Sequence, residues 1–66
     1  MNIKKGDRIE LIKMENDPNP ILPGEKGTVV EARLDGPKET QQIEVSWDSG
    51  RTLFLIPEDS FKIIKE

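Results

Sequence analysis

The sequence contains no cysteine, no histidine and no tyrosine, and only one tryptophan and two phenylalanines among its 66 residues. Without cysteine the chain has no disulfide, no thiolate metal ligand and no cysteine nucleophile. Without histidine it lacks the commonest general base and the commonest neutral metal ligand. These absences remove most of the side chains on which small enzymes and metal sites depend.

Long apolar runs are also absent, since no stretch approaches the roughly 20 residues that a membrane-spanning helix needs. The first residues are charged rather than apolar, which predicts that there is no signal peptide. We therefore expect a cytoplasmic protein that does not enter a membrane. The length predicts a single domain over residues 1–66 with a small stability margin, because such a chain buries only about 60% of its unfolded surface.

Charged residues make up 35% of the chain and hydrophobic residues 33%. This composition by itself favours a disordered chain. The arrangement favours a folded β domain instead, because the apolar residues fall in short runs that prolines and glycines separate. Period-two alternation and β-branched runs predict five strands. These strands cover residues 8–12, 27–32, 42–47, 51–56 and 61–64.

The longest connection covers residues 14–26 and contains three prolines, which forbid both helix and ladder pairing there. Within it, Pro23 followed by Gly24 predicts a type II turn. We expect Ile21 and Leu22 to pack this loop onto the body of the domain.

The later connections are shorter. Residues 35–40 form a polar loop, and residues 48–50 predict a tight hairpin turn in which Gly50 supplies a positive φ. Residues 57–60 predict one short 3₁₀ turn before the last strand, because proline starts such a turn readily and four residues are enough.

The order of these elements is that of an SH3-like barrel. An OB fold also has five strands, but it usually places a helix between the third and fourth, and no segment here has helical periodicity of that length. The alternation predicts which residues face inward. The predicted core consists of Ile9, Leu11, Val29, Ala32, Ile43, Val45, Leu53, Leu55, Phe61 and Ile63.

Three motifs together carry a family resemblance. They are Gly6-Asp7-Arg8-Ile9-x-Leu11-Ile12-x-Met14-x-Asn16-Asp17-Pro18, Pro23-Gly24-x-x-Gly27-Thr28-Val29 and Val45-x-Trp47-Asp48-x-Gly50. Over roughly residues 4–64 the chain resembles a family of short uncharacterised proteins that are common in phages, prophages and plasmids. The resemblance implies an SH3-like fold and a mobile-element accessory protein as the context, and it implies no particular activity. The insert over residues 34–42 is longer than the family pattern.

We expect neither catalysis nor a bound cofactor from the residue types that this chain contains. Asp17, Asp48 and Asp59 all fall in predicted turns, where aspartate commonly makes Asx turns or caps. A barrel of 66 residues is also expected to lack room for a typical ligand cleft of about 300–1,000 Å³. Asn16 and Asp17 offer hard oxygen ligands for a divalent ion, but turn chemistry explains them better and no calcium-loop pattern is present.

Protein binding is the first functional hypothesis. A polyproline groove and a methyl-lysine cage both need several convergent aromatic side chains, which this chain lacks. A less standard interface remains, in which the proline-rich loop reduces the entropy cost of recognition. The candidate residues are Met14, Asp17, Pro18, Trp47, Arg51 and Phe54.

The two aromatic members of that set have alternative roles. Trp47 is in register with Ile43 and Val45, which favours burial, although tryptophan beside Arg51 is also typical of a binding anchor. Phe54 is out of register with the core positions of its strand, so it either meets a partner or lies under the long loop.

Nucleic-acid binding is the second hypothesis, because related barrels bind RNA through a basic face. The net charge of −3 opposes it. A local basic cluster is expected if the first and last strands are neighbours. Its members would be Lys4, Lys5, Arg8, Lys62 and Lys65. The same lysines would serve equally to guard a sheet edge against strand addition. A monomer or a small homo-oligomer is compatible with both hypotheses. The third functional hypothesis is a structural subunit that oligomerises through its strand edges.

Overall fold

Five antiparallel strands form one sheet in the computed structural model, which describes residues 3–14, 17–37 and 40–65. The strands are β1 (Arg8–Lys13), β2 (Lys26–Arg33), β3 (Gln42–Trp47), β4 (Thr52–Leu55) and β5 (Ser60–Ile64). Every boundary lies within one residue of its predicted position. The all-β class with five strands is therefore confirmed.

The spatial order of the strands is β4-β3-β2-β1-β5. The chain thus runs as a meander from β1 to β4 and then returns to place β5 beside β1. The first and last strands are neighbours, as expected, and β4 and β5 form the two edges of the sheet. Closure of the sheet into an SH3-like barrel stays a prediction.

The predicted alternation is most regular in β3, where Ile43, Val45 and Trp47 are buried and the residues between them are not. A tryptophan in this register is a core residue, and Trp47 is 2% exposed. The buried side chains come from one face of β1, β2, β3 and β4 and from two positions outside the strands. They are Ile3, Ile9, Leu11, Ile21, Val29, Ile43, Val45, Trp47 and Leu55.

Most of the remaining predicted core residues are half-buried rather than buried. Ala32, Leu53 and Phe61 pack against the cluster from its margin. Ile63 contradicts the prediction, because 45% of its surface is exposed. It lies opposite Ile9 on the same face of the sheet, but β5 is an edge strand, so no further strand covers it.

Gly27 occupies the most crowded backbone position of the sheet. It lies opposite Ile9 of β1 on one side and Trp47 of β3 on the other. A Cβ at this position would come within 2.6 Å of Val45 Cγ1 and 3.0 Å of the Ser46 carbonyl oxygen. Only glycine lets the neighbouring strand approach this closely.

Beyond Val29 the pairing of β2 with β3 shifts by one residue. This β-bulge leaves Val30 partly exposed and brings Glu31 opposite Glu44. Two carboxylates therefore face each other across neighbouring strands, an arrangement that is unfavourable for folding.

The structure contains the turns predicted at Gly24 and Gly50. Gly24 has φ 91° and the Glu25 N–H donates to the Leu22 carbonyl oxygen at 3.1 Å, as a type II turn requires. Gly50 has φ 96° and closes the β3–β4 hairpin. The loop residue Ile21 is buried, but the expectation for Leu22 is wrong, since 71% of its surface is exposed.

The connection before β5 differs from the expected 3₁₀ turn. Residues 57–59 form a simple turn, in which the Asp59 N–H donates to the Ile56 carbonyl oxygen at 2.9 Å. The Asp59 carboxylate accepts a second bond, from the Ile56 N–H at 3.1 Å. This side-chain bond closes the turn without further helical backbone bonds.

Candidate interaction surfaces

The proline-rich loop is held in a defined shape by side chains around it. The Arg51 guanidinium donates from Nη2 to the Asn19 carbonyl oxygen at 2.7 Å and from Nη1 to the Pro20 carbonyl oxygen at 3.4 Å. Arg51 follows the hairpin turn, so it ties the loop to the start of β4. Arg51 therefore has a structural role inside the chain, and its role as a partner contact stays a prediction.

Local contacts complete the shape of the loop. The Asp17 carboxylate accepts the Asn19 N–H at 2.9 Å, which is the Asx turn that aspartate commonly makes. The Met14 sulfur accepts the Ile21 N–H at 3.4 Å, and Met14 packs against the core. Of the predicted loop contacts, Pro18 is exposed, whereas Met14 and Asp17 are half-buried and make contacts within the loop.

Trp47 is part of the core. Its indole Nε1–H donates to the Leu53 carbonyl oxygen at 3.2 Å, so its single polar group is satisfied within the β3–β4 hairpin. Only 2% of the surface of Trp47 is exposed. A partner could therefore not contact this side chain unless the hairpin unfolded.

Phe54 lies on the outward face of β4, as its register predicted, and 43% of its surface is exposed. The same face continues into Ile56, which is 39% exposed. Residues two apart on a strand project to the same side about 7 Å apart. Phe54 and Ile56 therefore form one apolar strip along an edge of the sheet.

An open groove of about 370 Å³ lies at the end of the core next to this strip. Its lining is mostly apolar. The lining residues are Leu34, Gln41, Gln42, Ile43, Leu55, Ile56, Pro57, Asp59 and Phe61. The volume lies within the range of ordinary ligand sites, so the expectation that the domain lacks room for a cleft is wrong. Sequence reasoning missed it because its walls come from the ends of four strands.

The predicted basic cluster is only partly assembled. The Arg8 guanidinium donates to both carboxylate oxygens of Asp48, at 2.8 and 2.7 Å, and to the Thr28 hydroxyl at 3.0 Å. Lys62 lies directly opposite Glu10 across β1 and β5. Lys4, Lys5 and Lys65 are exposed. The pairing of β1 with β5 places Arg8 and Lys62 on the same face of the sheet, and a carboxylate accompanies each of them.

The ion pair with Arg8 changes the acidity of Asp48. The hydrogen bond from Arg8 holds the pKa of Asp48 below its usual value, and the positive charges of Arg8 and Lys26 act in the same direction. Desolvation of the carboxylate raises the pKa and is second in size only to the hydrogen bond, but the lowering effects together prevail. Asp48 thus acts as a link between β1 and the β3–β4 hairpin.

In the part of the chain that the structure describes, no group of three or more acidic side chains is arranged to hold a metal ion. Across the same residues, no helix has the length and apolar character needed to cross a membrane.

Comparison with known proteins places the chain in a family. It belongs to the family described as Domain of unknown function (DUF4314), whose family model matches residues 2–64. No curated protein and no solved structure matches the chain. The resemblance to an uncharacterised family is thereby confirmed at the level of the family.

Proposed function

We propose that this protein is a non-enzymatic binding module and that its partner is another protein. The observation that supports this most strongly is the apolar strip of Phe54 and Ile56 beside the groove. Leu34, at the rim of the groove, is 36% exposed, so three large apolar side chains of one region face solvent. On a small chain that has few such side chains to spare for its core, a contiguous exposed apolar region is typical of an interaction site.

The proline-rich loop supplies a second region of contact in this proposal. Its shape is set before binding by Arg51 and by the Asx turn at Asp17. A loop that is already ordered loses less entropy when a partner docks on it. The exposed Pro18 and Leu22 are the side chains that it presents.

Nucleic-acid binding is supported less well. Phosphate contacts need cations that are available, and Arg8 already makes a bidentate bond with Asp48. Lys62 faces Glu10, and the chain carries a net charge of −3. The resemblance to short phage, prophage and plasmid proteins supports a cytoplasmic accessory role, in which the module modulates a host or viral complex.

The test is an affinity pull-down of the tagged protein from a lysate of its source cell, with and without nuclease, read by mass spectrometry. We expect at least one protein to stay bound after nuclease treatment and to stay bound as the salt concentration rises, because an apolar interface is screened little by salt. If every retained protein disappears with nuclease, nucleic acid was the bridge and the proposal is wrong.

A substitution pair then assigns the surface. Phe54→Ala is expected to weaken the retained complex by tenfold or more, as a truncated hot-spot aromatic does, while changing the free energy of unfolding by less than about 0.5 kcal/mol. The matched control is Ile12→Ala, since Ile12 is 51% exposed on β1, three strands away. Equal losses of binding and of melting temperature in Phe54→Ala would show that Phe54 only supports the fold.

A further inference from the structure

We propose that the free edge of β4 accepts an extended segment of the partner protein as an additional strand. In this arrangement one aliphatic side chain of the segment enters the groove, and a lysine or arginine of the segment extends across Phe54 toward Glu44. The inference rests on the proposed function and specifies the partner chemistry at the same surface.

The backbone of β4 offers the hydrogen-bonding groups that strand addition needs. The Trp47 N–H donates to the Arg51 carbonyl oxygen at 2.9 Å, so this pair is a hydrogen-bonded pair of the antiparallel hairpin. Hydrogen-bonded and non-hydrogen-bonded pairs alternate. Thr52, opposite Ser46, and Phe54, opposite Glu44, therefore direct their N–H and C=O groups away from β3. Two donors and two acceptors are presented to a new strand.

The available edge is short and has a definite end. Both backbone groups of Ile56 are bonded to Asp59, the N–H through the carboxylate and the carbonyl oxygen through the Asp59 N–H. Only the stretch from Thr52 to Leu55 can receive a partner. A segment of about four or five residues matches this length.

The other edge of the sheet is protected, whereas this one is not. β5 carries Lys62, and Lys65 follows it directly; lysine on an edge strand is a common device against unwanted strand addition. Residues 52–56 contain no charged side chain and expose Phe54 and Ile56 instead. The contrast marks β4 as the edge at which pairing is permitted.

The negative charge on the outward face of the sheet indicates that the partner segment carries a cation. Glu31 and Glu44 face each other across β2 and β3, and Phe54 is the next residue in the same row. Arg33 lies 3.5 Å from Glu31. A lysine or arginine opposite Phe54 would lie two strands, or about 10 Å, from Glu44 and could reach it across the aromatic ring. Such a residue would relieve the like-charge pair.

A second copy of this chain fits the edge poorly. Its own β4 has no cation to offer, and a symmetric pairing would bring another Glu44 toward the first. Leu55 is fully buried and Leu53 packs in the same core, so a copy has no inward-facing side chain left for the groove. A foreign segment can supply both the aliphatic side chain for the groove and the cation for Glu44.

The probe is a displayed library of random heptapeptides, selected on the intact protein, followed by synthesis of the enriched peptides. We expect enriched sequences with aliphatic residues at alternate positions and lysine or arginine between them. Binding of such a peptide should slow hydrogen exchange of the Phe54 amide by at least tenfold, because that N–H becomes bonded to the added strand. Failure of the library to enrich any sequence would overturn the inference.

Three variants separate the edge from other surfaces. Thr52→Pro removes an outward donor at a position where an edge strand tolerates proline, and Ile56→Ser removes an apolar wall of the groove. Both should lower peptide affinity at least tenfold, and Ile56→Ser keeps the test decisive if Thr52→Pro fails to fold. The matched control is Ile12→Ser on β1, three strands away from β4, which should change affinity by less than twofold.

Other outcomes count against the inference. A peptide that loses affinity with Leu22→Ser but not with Ile56→Ser would place the site on the loop, and self-association that Ile56→Ser abolishes would make a second copy the occupant. A protein retained through nuclease in a Phe54-dependent manner, together with a failed peptide selection, would leave the proposed function standing and remove only strand addition.

Discussion

The two edge strands of this sheet, β4 and β5, differ in the side chains that they expose. β5 exposes Ile63 on one face but places Lys62 on the other, opposite Glu10. β4 exposes Phe54 and Ile56 and carries no charge. Exposed apolar surface therefore occurs at both edges, and the difference between them is the placement of lysine. Charge, rather than hydrophobicity, is therefore the feature by which the two edges differ.

The edges also differ in how firmly they are attached to the core. β4 is attached through the buried Leu55 and through the bond from the Trp47 indole to Leu53, whereas β5 contributes the half-buried Phe61. The proposed addition of a partner segment at β4 would benefit from this attachment, because a strand that is already ordered loses less entropy when a partner is added.

The largest expected effect comes from removing these attachments. Trp47→Ala should lower the free energy of unfolding by about 3–5 kcal/mol, since it empties a large buried volume under β4. Phe61→Ala should cost about 2 kcal/mol, because Phe61 is only half-buried. Urea denaturation of both variants measures the difference. Equal losses would mean that the two edges are attached equally.

Gly27→Ala is expected to have the next largest effect. The new methyl group would press on Val45 and on the Ser46 carbonyl, which should cost about 1–3 kcal/mol. Because β2 lies between the two halves of the sheet, hydrogen exchange should accelerate in β4 and β5 alike. Val30→Ala, at an exposed position of the same strand, is the control and should change stability by less than about 0.5 kcal/mol. Acceleration in one edge alone would contradict this.

Lys62→Val tests the protective role of the β5 edge at a smaller energetic scale. The variant should fold with nearly unchanged stability but should associate at concentrations where the natural chain does not, because its edge now resembles β4. Sedimentation velocity over a concentration series measures this. Lys4→Val, at an exposed position outside the strands, should sediment like the natural chain. Identical behaviour of the two variants would show that Lys62 does not guard the edge.

The smallest expected effect is on the pH dependence of stability. The pKa of Asp48 is lower in the folded state than its ordinary value of 3.8. Its bond with Arg8 therefore stabilises the fold above that value, and the contribution is lost as the pH falls through the lowered folded pKa. Melting temperatures from about pH 5 to about pH 2 should fall less steeply in Asp48→Asn than in the natural chain. Parallel curves would show that this pair does not link β1 to the hairpin.

Local patterns predicted a large part of this structure. The alternation in β3 and β4 gave the inward set correctly and placed Phe54 on the outer face, and the glycines at 24 and 50 marked their turns. The prediction of a 3₁₀ turn before β5 was wrong, because the Asp59 side chain closes that connection with a simple turn. Such a side-chain bond leaves little trace in the periodicity of the chain.

What the sequence by itself determined is the set of strands, their faces and most of their turns, because each depends on residues that are neighbours along the chain. Tertiary structure alone decided which strands became edges, and so why Ile63 is exposed. It also decided that Ile3 is buried. It also decided that Arg8 meets Asp48 and that Arg51 holds the proline-rich loop. These contacts join residues 31 to 40 positions apart, and the order in which strands pair decides them.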